Sequence, residues 1–223
     1  MAEAKEDRQL VLYGADNSYG PEIAESAHRA GWNVIAGIAT GKGDRGVSAV
    51  PAVLREDELS ALLRETSVFP VAMVPGARKQ QVARLRELGF RDFASVIDQT
   101  SVVSPSADIG RGCYLNVLAI VAARGELGDF VFIGRNSSLG HHSRMEDYCT
   151  LGPGVTIASH CHLGRGVMVG SGVTITPGRT IGANSVIAAG SVVRRDVPAN
   201  TLVAGHPARV YRRNIAGYRD LGV

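Results

Sequence analysis

From Val103 to Val193 a branched or long aliphatic residue returns at every sixth position without interruption. The series runs Val103, Ile109, Leu115, Val121, Leu127, Ile133, Leu139, Met145, Leu151, Ile157, Leu163, Val169, Ile175, Ile181, Ile187, Val193. The residue after most of these is glycine or alanine, and the residue two before is small at nearly all. Helices bury positions at a period near 3.6 and flat strands at a period of 2, so neither explains a period of 6. A solenoid with three flat sides does, with one inward aliphatic per side and a tight corner between sides. Three sides make an eighteen-residue coil, and residues eighteen apart stack in columns. Arg179 is the exception among the small corner residues and is expected to point outward.

The first ninety-five residues have a different texture. Gln9 to Tyr13 reads as a strand, residues 14–20 as a turn, Glu22 to Ala30 as a helix closed by Gly31, and Trp32 to Ile38 as a second strand. Glu56 to Thr66 reads as a second helix, Val68 to Val74 as a third strand, and Lys79 to Leu88 as a third helix ended by Gly89. Alternating strands and helices predict a small parallel α/β domain. The expected division is 1–95 for this Rossmann-like unit, 96–210 for the solenoid and 211–223 for a tail. A glycine turn between a strand and a helix N-terminus is a common seat for phosphate. Here only Gly14 and Gly20 remain of a dinucleotide fingerprint, and Asp16 would repel an anion. A purely structural α/β cap is an equal reading.

The repeat resembles that of the hexapeptide-repeat acyltransferases, which implies a left-handed parallel β-helix. Sterics alone favour right-handed crossovers. The closing run from Ile187 to Val193, then residues 196–198 and 201–209, extends the resemblance to the sugar O/N-acetyltransferases of the sialic-acid and bacillosamine type. That resemblance implies an enzyme transferring an acetyl group from acetyl-CoA to an amine or hydroxyl of a sugar, free or nucleotide-linked. It also implies a homotrimer, with the CoA arm running between neighbouring solenoids. His141, in the run Gly140, His141, His142, Ser143, falls on the family's catalytic histidine, and His142 on its acidic partner. Ser159 is placed with its amide opposite the acyl carbonyl, and Ser171 and Ala189 along the pantetheine. Arg209, in the turn that holds Gly205 and His206, and Arg212 are placed on the CoA phosphates. Gly14, Asn17 and Ser18 after the first strand, and Gly76 after the third, are the candidate acceptor contacts.

Column spacing puts His160 over His142, with Arg124 one coil below. It puts Glu126, Arg144 and His162 in a neighbouring salt-bridged ladder. Three close histidines raise a metal alternative, a hydratase of the hexapeptide-repeat carbonic-anhydrase type; a non-catalytic trimeric scaffold is the third reading. No metal is expected for acyl transfer. Net charge is only +3, too little to argue for nucleic acid. From Arg194 onward, however, six arginines face two aspartates, which suits a phosphorylated ligand. Cys113, Cys149 and Cys161 all take the small corner position, so packing thiols are expected rather than disulfides or metal ligands. No leader or membrane-spanning run is read, and a cytoplasmic protein is expected.

Overall fold

The structure, a computed structural model, describes residues 8–41 and 50–223. Four parallel strands open the chain: β1 (Arg8–Tyr13), β2 (Trp32–Ile38), β3 (Val53–Leu54) and β4 (Ser67–Pro70). They lie in the order β3-β2-β1-β4. Helix α1 (Gly20–Arg29) joins β1 to β2, with Pro21 in its first turn, where the missing N–H costs nothing. The expected helix over 56–66 is broken. A 3₁₀ turn covers Glu56–Glu58, and α2 (Ala61–Glu65) begins only after Ser60, whose hydroxyl accepts from the Leu63 amide. A serine at that position favours a fresh N-cap over helix continuation.

A second correction concerns α3 (Pro75–Glu87). The strand before it stops at Pro70, not Val74, and residues 75–78 are the helix's first turn rather than a loop. Pro75 has the backbone angle that a helix start needs, a cue that outweighs Gly76.

The solenoid begins at Val96–Ile97, one repeat before the aliphatic series read above. Its two-residue strands stack in register at a separation of eighteen, as in Glu126 with Arg144 and Phe132 with Thr150. Three parallel sheets result. The first carries Val102, Ile120, Ser138, Thr156, Thr174 and Val192 on its outward face. The second carries Asp108, Glu126, Arg144, His162 and Thr180. The third carries Val96, Tyr114, Phe132, Thr150, Met168 and Val186. From Leu115 on, every aliphatic of the series is buried in one continuous core, with the three cysteines beside them. Burial pushes the Cys113 and Cys149 thiols up to about 12, so they stay protonated, as packing groups should. Arg179 points outward to Asp196.

The outward positions of the third sheet are all buried, because the N-terminal domain and the C-terminal segment cover them. Phe93 and Phe130 meet edge to face, and Phe130 stacks on Tyr148. Between these two domains lies Arg78, 1 % exposed. Its guanidinium donates to the carbonyls of Ala72, Met73, Phe130, Tyr148 and Cys149 and to Thr150 Oγ1, at 2.6–3.1 Å. After the solenoid comes an antiparallel hairpin, Thr201–Gly205 with Ala208–Arg213, and then a 3₁₀ turn at Tyr218–Asp220, so the expected division at 210/211 falls inside a strand. Among the described residues no helix is long and apolar enough to cross a membrane.

Candidate active site

From Gly112 to Gly190 each corner of the solenoid turns through a residue with positive φ, three places after the inward aliphatic. Glycine fills this position at 112, 154, 166, 172, 178 and 190, whereas Arg124, His142 and His160 precede Gly178 in the column at the corner between the first and second sheets. A non-glycine residue there costs about 1 kcal/mol, and histidine is among the residues that adopt it. The corner is held rigidly from coil to coil. The His142 amide donates to Ala123 O at 3.0 Å and the His160 amide to His141 O at 3.1 Å. Ser143, 1 % exposed, donates to Ala158 O and accepts from the Cys161 amide, both at 2.9 Å.

On this scaffold three exposed imidazoles converge. His141 Nδ1 and His142 Nδ1 are 3.0 Å apart, so one ring donates and the other accepts. His142 and His160 stack face to face with centroids 5.0 Å apart, and His141 meets both edge-on at 5.2 and 5.3 Å. Desolvation within the cluster, followed by the positive charge of His160, His141 and Arg124, holds the His142 imidazolium below the usual histidine range. A neutral His142 can accept from His141 Nδ1–H, which leaves the lone pair on His141 Nε2 free to take a proton. In the neighbouring column Glu126 pairs with Arg144, as spacing predicts, but His162 pairs instead with Glu146 outside the column, its Nε2 at 2.9 Å from the carboxylate.

One coil above His141 lies Ser159. A Cβ on Gly140 would stand 2.7 Å from the Ser159 nitrogen, so glycine lets the two coils close on each other here. The Ser159 amide has no acceptor among the described residues, and it lies at the same corner as His141.

Ser171 and Ala189 occupy another corner, between the third and first sheets. There they share a cavity of about 330 Å³ with Tyr19, Met73, Pro153 and Tyr218. Arg209 and Arg212 are not brought together. Arg212 lines a cavity with Val186 and Tyr218, while Arg209 lines one with Arg195 and Asp196.

In the N-terminal domain, Ser18 and Asn17 line a cavity of about 350 Å³ with Tyr19, Met73, Ala77 and Gln81. Asn17 is engaged structurally, donating to Val71 O and accepting from the Tyr19 amide. Gly14 is a turn residue: its φ is +83°, and a Cβ would stand 2.6 Å from Gln81 Nε2. Gly76 lines none of this cavity. It is buried, and a Cβ there would stand 2.5 Å from Leu221. Asp16 accepts from the Thr40 and Gly41 amides at 3.0 Å and so caps a loop.

Sequence reasoning missed Gln81, whose buried Oε1 has no hydrogen-bond partner among the described residues. It also missed a polar group beside Ser18 in which Glu22 Oε1 accepts from Asn116 at 2.8 Å and from Arg135 at 2.9 Å. One signal was available: apolar outward residues at a spacing of eighteen (Tyr114, Phe132, Met168, Val186) mark the covered sheet and so the corner beside the N-terminal domain. Nothing local distinguishes Gln81 from any other polar helix residue.

Residues 160–195 match the bacterial transferase hexapeptide family (six repeats). No curated protein sequence matches the chain. Among solved structures, it is similar to PerB from Caulobacter crescentus in complex with CoA and GDP-perosamine. Identity there is 29 %, the TM-score is 0.84, and 92 % of this chain and 97 % of that chain are covered. It is also similar to the acetyltransferase domain of PglB from Neisseria gonorrhoeae, at 25 % identity and a TM-score of 0.83, covering 92 % of this chain and all of that one. The fold recurs in that domain bound to acetyl coenzyme A, at 24 % identity, a TM-score of 0.82 and coverage of 92 % and 100 %.

Proposed function

We propose that this chain, a hexapeptide-repeat acyltransferase of the sugar O/N-acetyltransferase type, moves the acetyl group of acetyl-CoA to an amine of a nucleotide-linked sugar with His141 as general base. The observation that carries this reading is the corner itself. An imidazole hydrogen-bonded to a second imidazole stands one coil from a backbone N–H that has no acceptor among the described residues. His141 Nε2 takes the proton as the acceptor nitrogen attacks the thioester carbonyl. The Ser159 N–H donates to the oxyanion that forms. When the tetrahedral intermediate collapses, the C–S bond breaks, the new C–N bond remains, and the proton passes from His141 to the departing thiolate. No metal is needed at any step.

The acceptor's nucleotide end fits the cavity of about 350 Å³ lined by Ser18, Asn17 and Gln81. Ser171 and Ala189 lie at a different corner from Ser159, so one chain alone does not line a continuous CoA groove. A homotrimer resolves this, because the corner of one solenoid then faces that of its neighbour. The first sheet supports such contact: Val102 and Ile120 on its outer face, with Leu118 at its corner, are 62, 43 and 52 % exposed. Arg212, beside the Ser171 cavity, is placed to meet CoA phosphate.

The test is thiol release from acetyl-CoA against a panel of nucleotide-linked and free amino sugars. Wild-type protein should turn over at least one nucleotide-linked amine. His141→Ala should lower that rate by about 100-fold or more, the scale of a lost general base, with CoA affinity little changed. Equal turnover of wild type and His141→Ala would overturn the assignment.

A further inference from the structure

We infer that His141, His142 and His160 together form a binding site for a late first-row divalent metal ion, and that filling it shuts off acyl transfer. Each ring offers one nitrogen, and these three nitrogens all lie within 4.8 Å of one another. Zn–N bonds of about 2.0–2.1 Å set tetrahedral ligands roughly 3.4 Å apart. The His141 and His142 nitrogens, at 3.0 Å, are already near that spacing, and His160 closes the set through rotation of an exposed ring. The backbone beneath is fixed, since the His160 amide donates to His141 O and both corner residues are locked at positive φ. Three neutral imidazoles without a carboxylate suit Zn²⁺, Co²⁺, Ni²⁺ or Cu²⁺ and not Mg²⁺ or Ca²⁺. His162 is not part of the set, because Glu146 engages its Nε2. Arg124, in the same column one coil below, opposes the ion with its charge.

The site and the base are the same imidazole. A metal on His141 Nδ1 leaves the ring's proton on Nε2, the nitrogen that would otherwise take the acceptor's proton, so occupancy and turnover exclude each other. The inhibition rests on the acyl-transfer reading above, whereas metal capture does not.

Full-length protein, freed of metal by chelation and then of chelator, is titrated with Co²⁺ and followed by its visible d–d absorption. Saturation at one Co²⁺ per chain is expected. Loss of a group merely behind a metal ligand costs about 10-fold in affinity, so His160→Ala and His142→Ala should each weaken binding at least that much. Arg124→Ala should tighten it. All three side chains are exposed, and unchanged melting confirms that the variants fold. Transfer is read in parallel as acetylated product, because free thiol competes for metal. It should fall in proportion to occupancy and return with EDTA. No saturable Co²⁺ uptake, or uptake unchanged by His160→Ala, overturns the site. Full occupancy with undiminished transfer overturns the inhibition. Saturable uptake in a protein that acetylates nothing even when metal-free leaves the site standing and defeats the acyl-transfer reading instead.

Discussion

Replacing Arg78 with methionine should detach the N-terminal domain from the solenoid more than any surface change. The side chain is buried and its donors reach both domains: Ala72 and Met73 on one side, Phe130, Tyr148, Cys149 and Thr150 on the other. Burial pushes its pKa down to about 10, so it remains charged at neutral pH. Because the folded value lies below the unfolded one, stability from this group changes only as pH rises past about 10, and it adds no slope near pH 7. Methionine keeps the volume and removes the fork. Cys149 O still accepts from the Phe132 amide and Met73 O from Thr150 Oγ1. The carbonyls of Ala72, Phe130 and Tyr148 lose the only partner described for them. At about 1 kcal/mol each as a lower bound, that is roughly 3 kcal/mol, within the range found when one partner of a buried charged network is removed. For a chain of this length about 1 kcal/mol moves the melting temperature by roughly 2–4 °C, so a drop of about 6–12 °C is expected in a calorimetric scan. Arg78→Lys, a point charge without the fork, should recover part of the loss. A drop below roughly 2 °C, or full recovery with lysine, would refute the reasoning.

Val169→Asp places a carboxylate with no partner in the aliphatic column between Leu151 and Ile187. It should cost more than about 4 kcal/mol and give insoluble protein; soluble protein with unchanged melting would contradict the stacked core. Gly140→Ala puts a methyl 2.5 Å from the Ala158 carbonyl carbon, so it should part the coils at the Ser159 amide. Turnover should fall sharply for a stability loss of only about 1–3 kcal/mol, and steady-state kinetics beside a melting curve separates the two. Arg124→Ala removes a positive charge from beside His142, so the His142 pKa should rise, an upward shift measurable by NMR titration, and the acid limb of the rate profile should move. Arg212→Ala should weaken acetyl-CoA binding at low salt and less so at high salt, whereas Arg209→Ala, in a separate cavity, should change it little; calorimetric titration at two ionic strengths decides.

What the sequence determined by itself was whatever repeats. An inward aliphatic at every sixth residue is a local rule enforced at each coil by its neighbours, so the solenoid and its core followed from spacing alone. The same arithmetic placed His160 on His142 and Glu126 on Arg144, because stacking at eighteen residues needs no knowledge of distant chain. The α/β unit was legible as alternation, but its boundaries were not. Pro75 starts α3 and Ser60 starts α2 through cap chemistry that competes with apolar spacing. Only the tertiary structure decided which faces meet. It covered the sheet of Tyr114 and Phe132 with the N-terminal domain, buried Gly76 under Leu221, set Arg78 between two domains, and parted Arg209 from Arg212. These outcomes depend on contacts between residues far apart in sequence, each made once, and a contact made only once leaves no period in the chain from which it could be read.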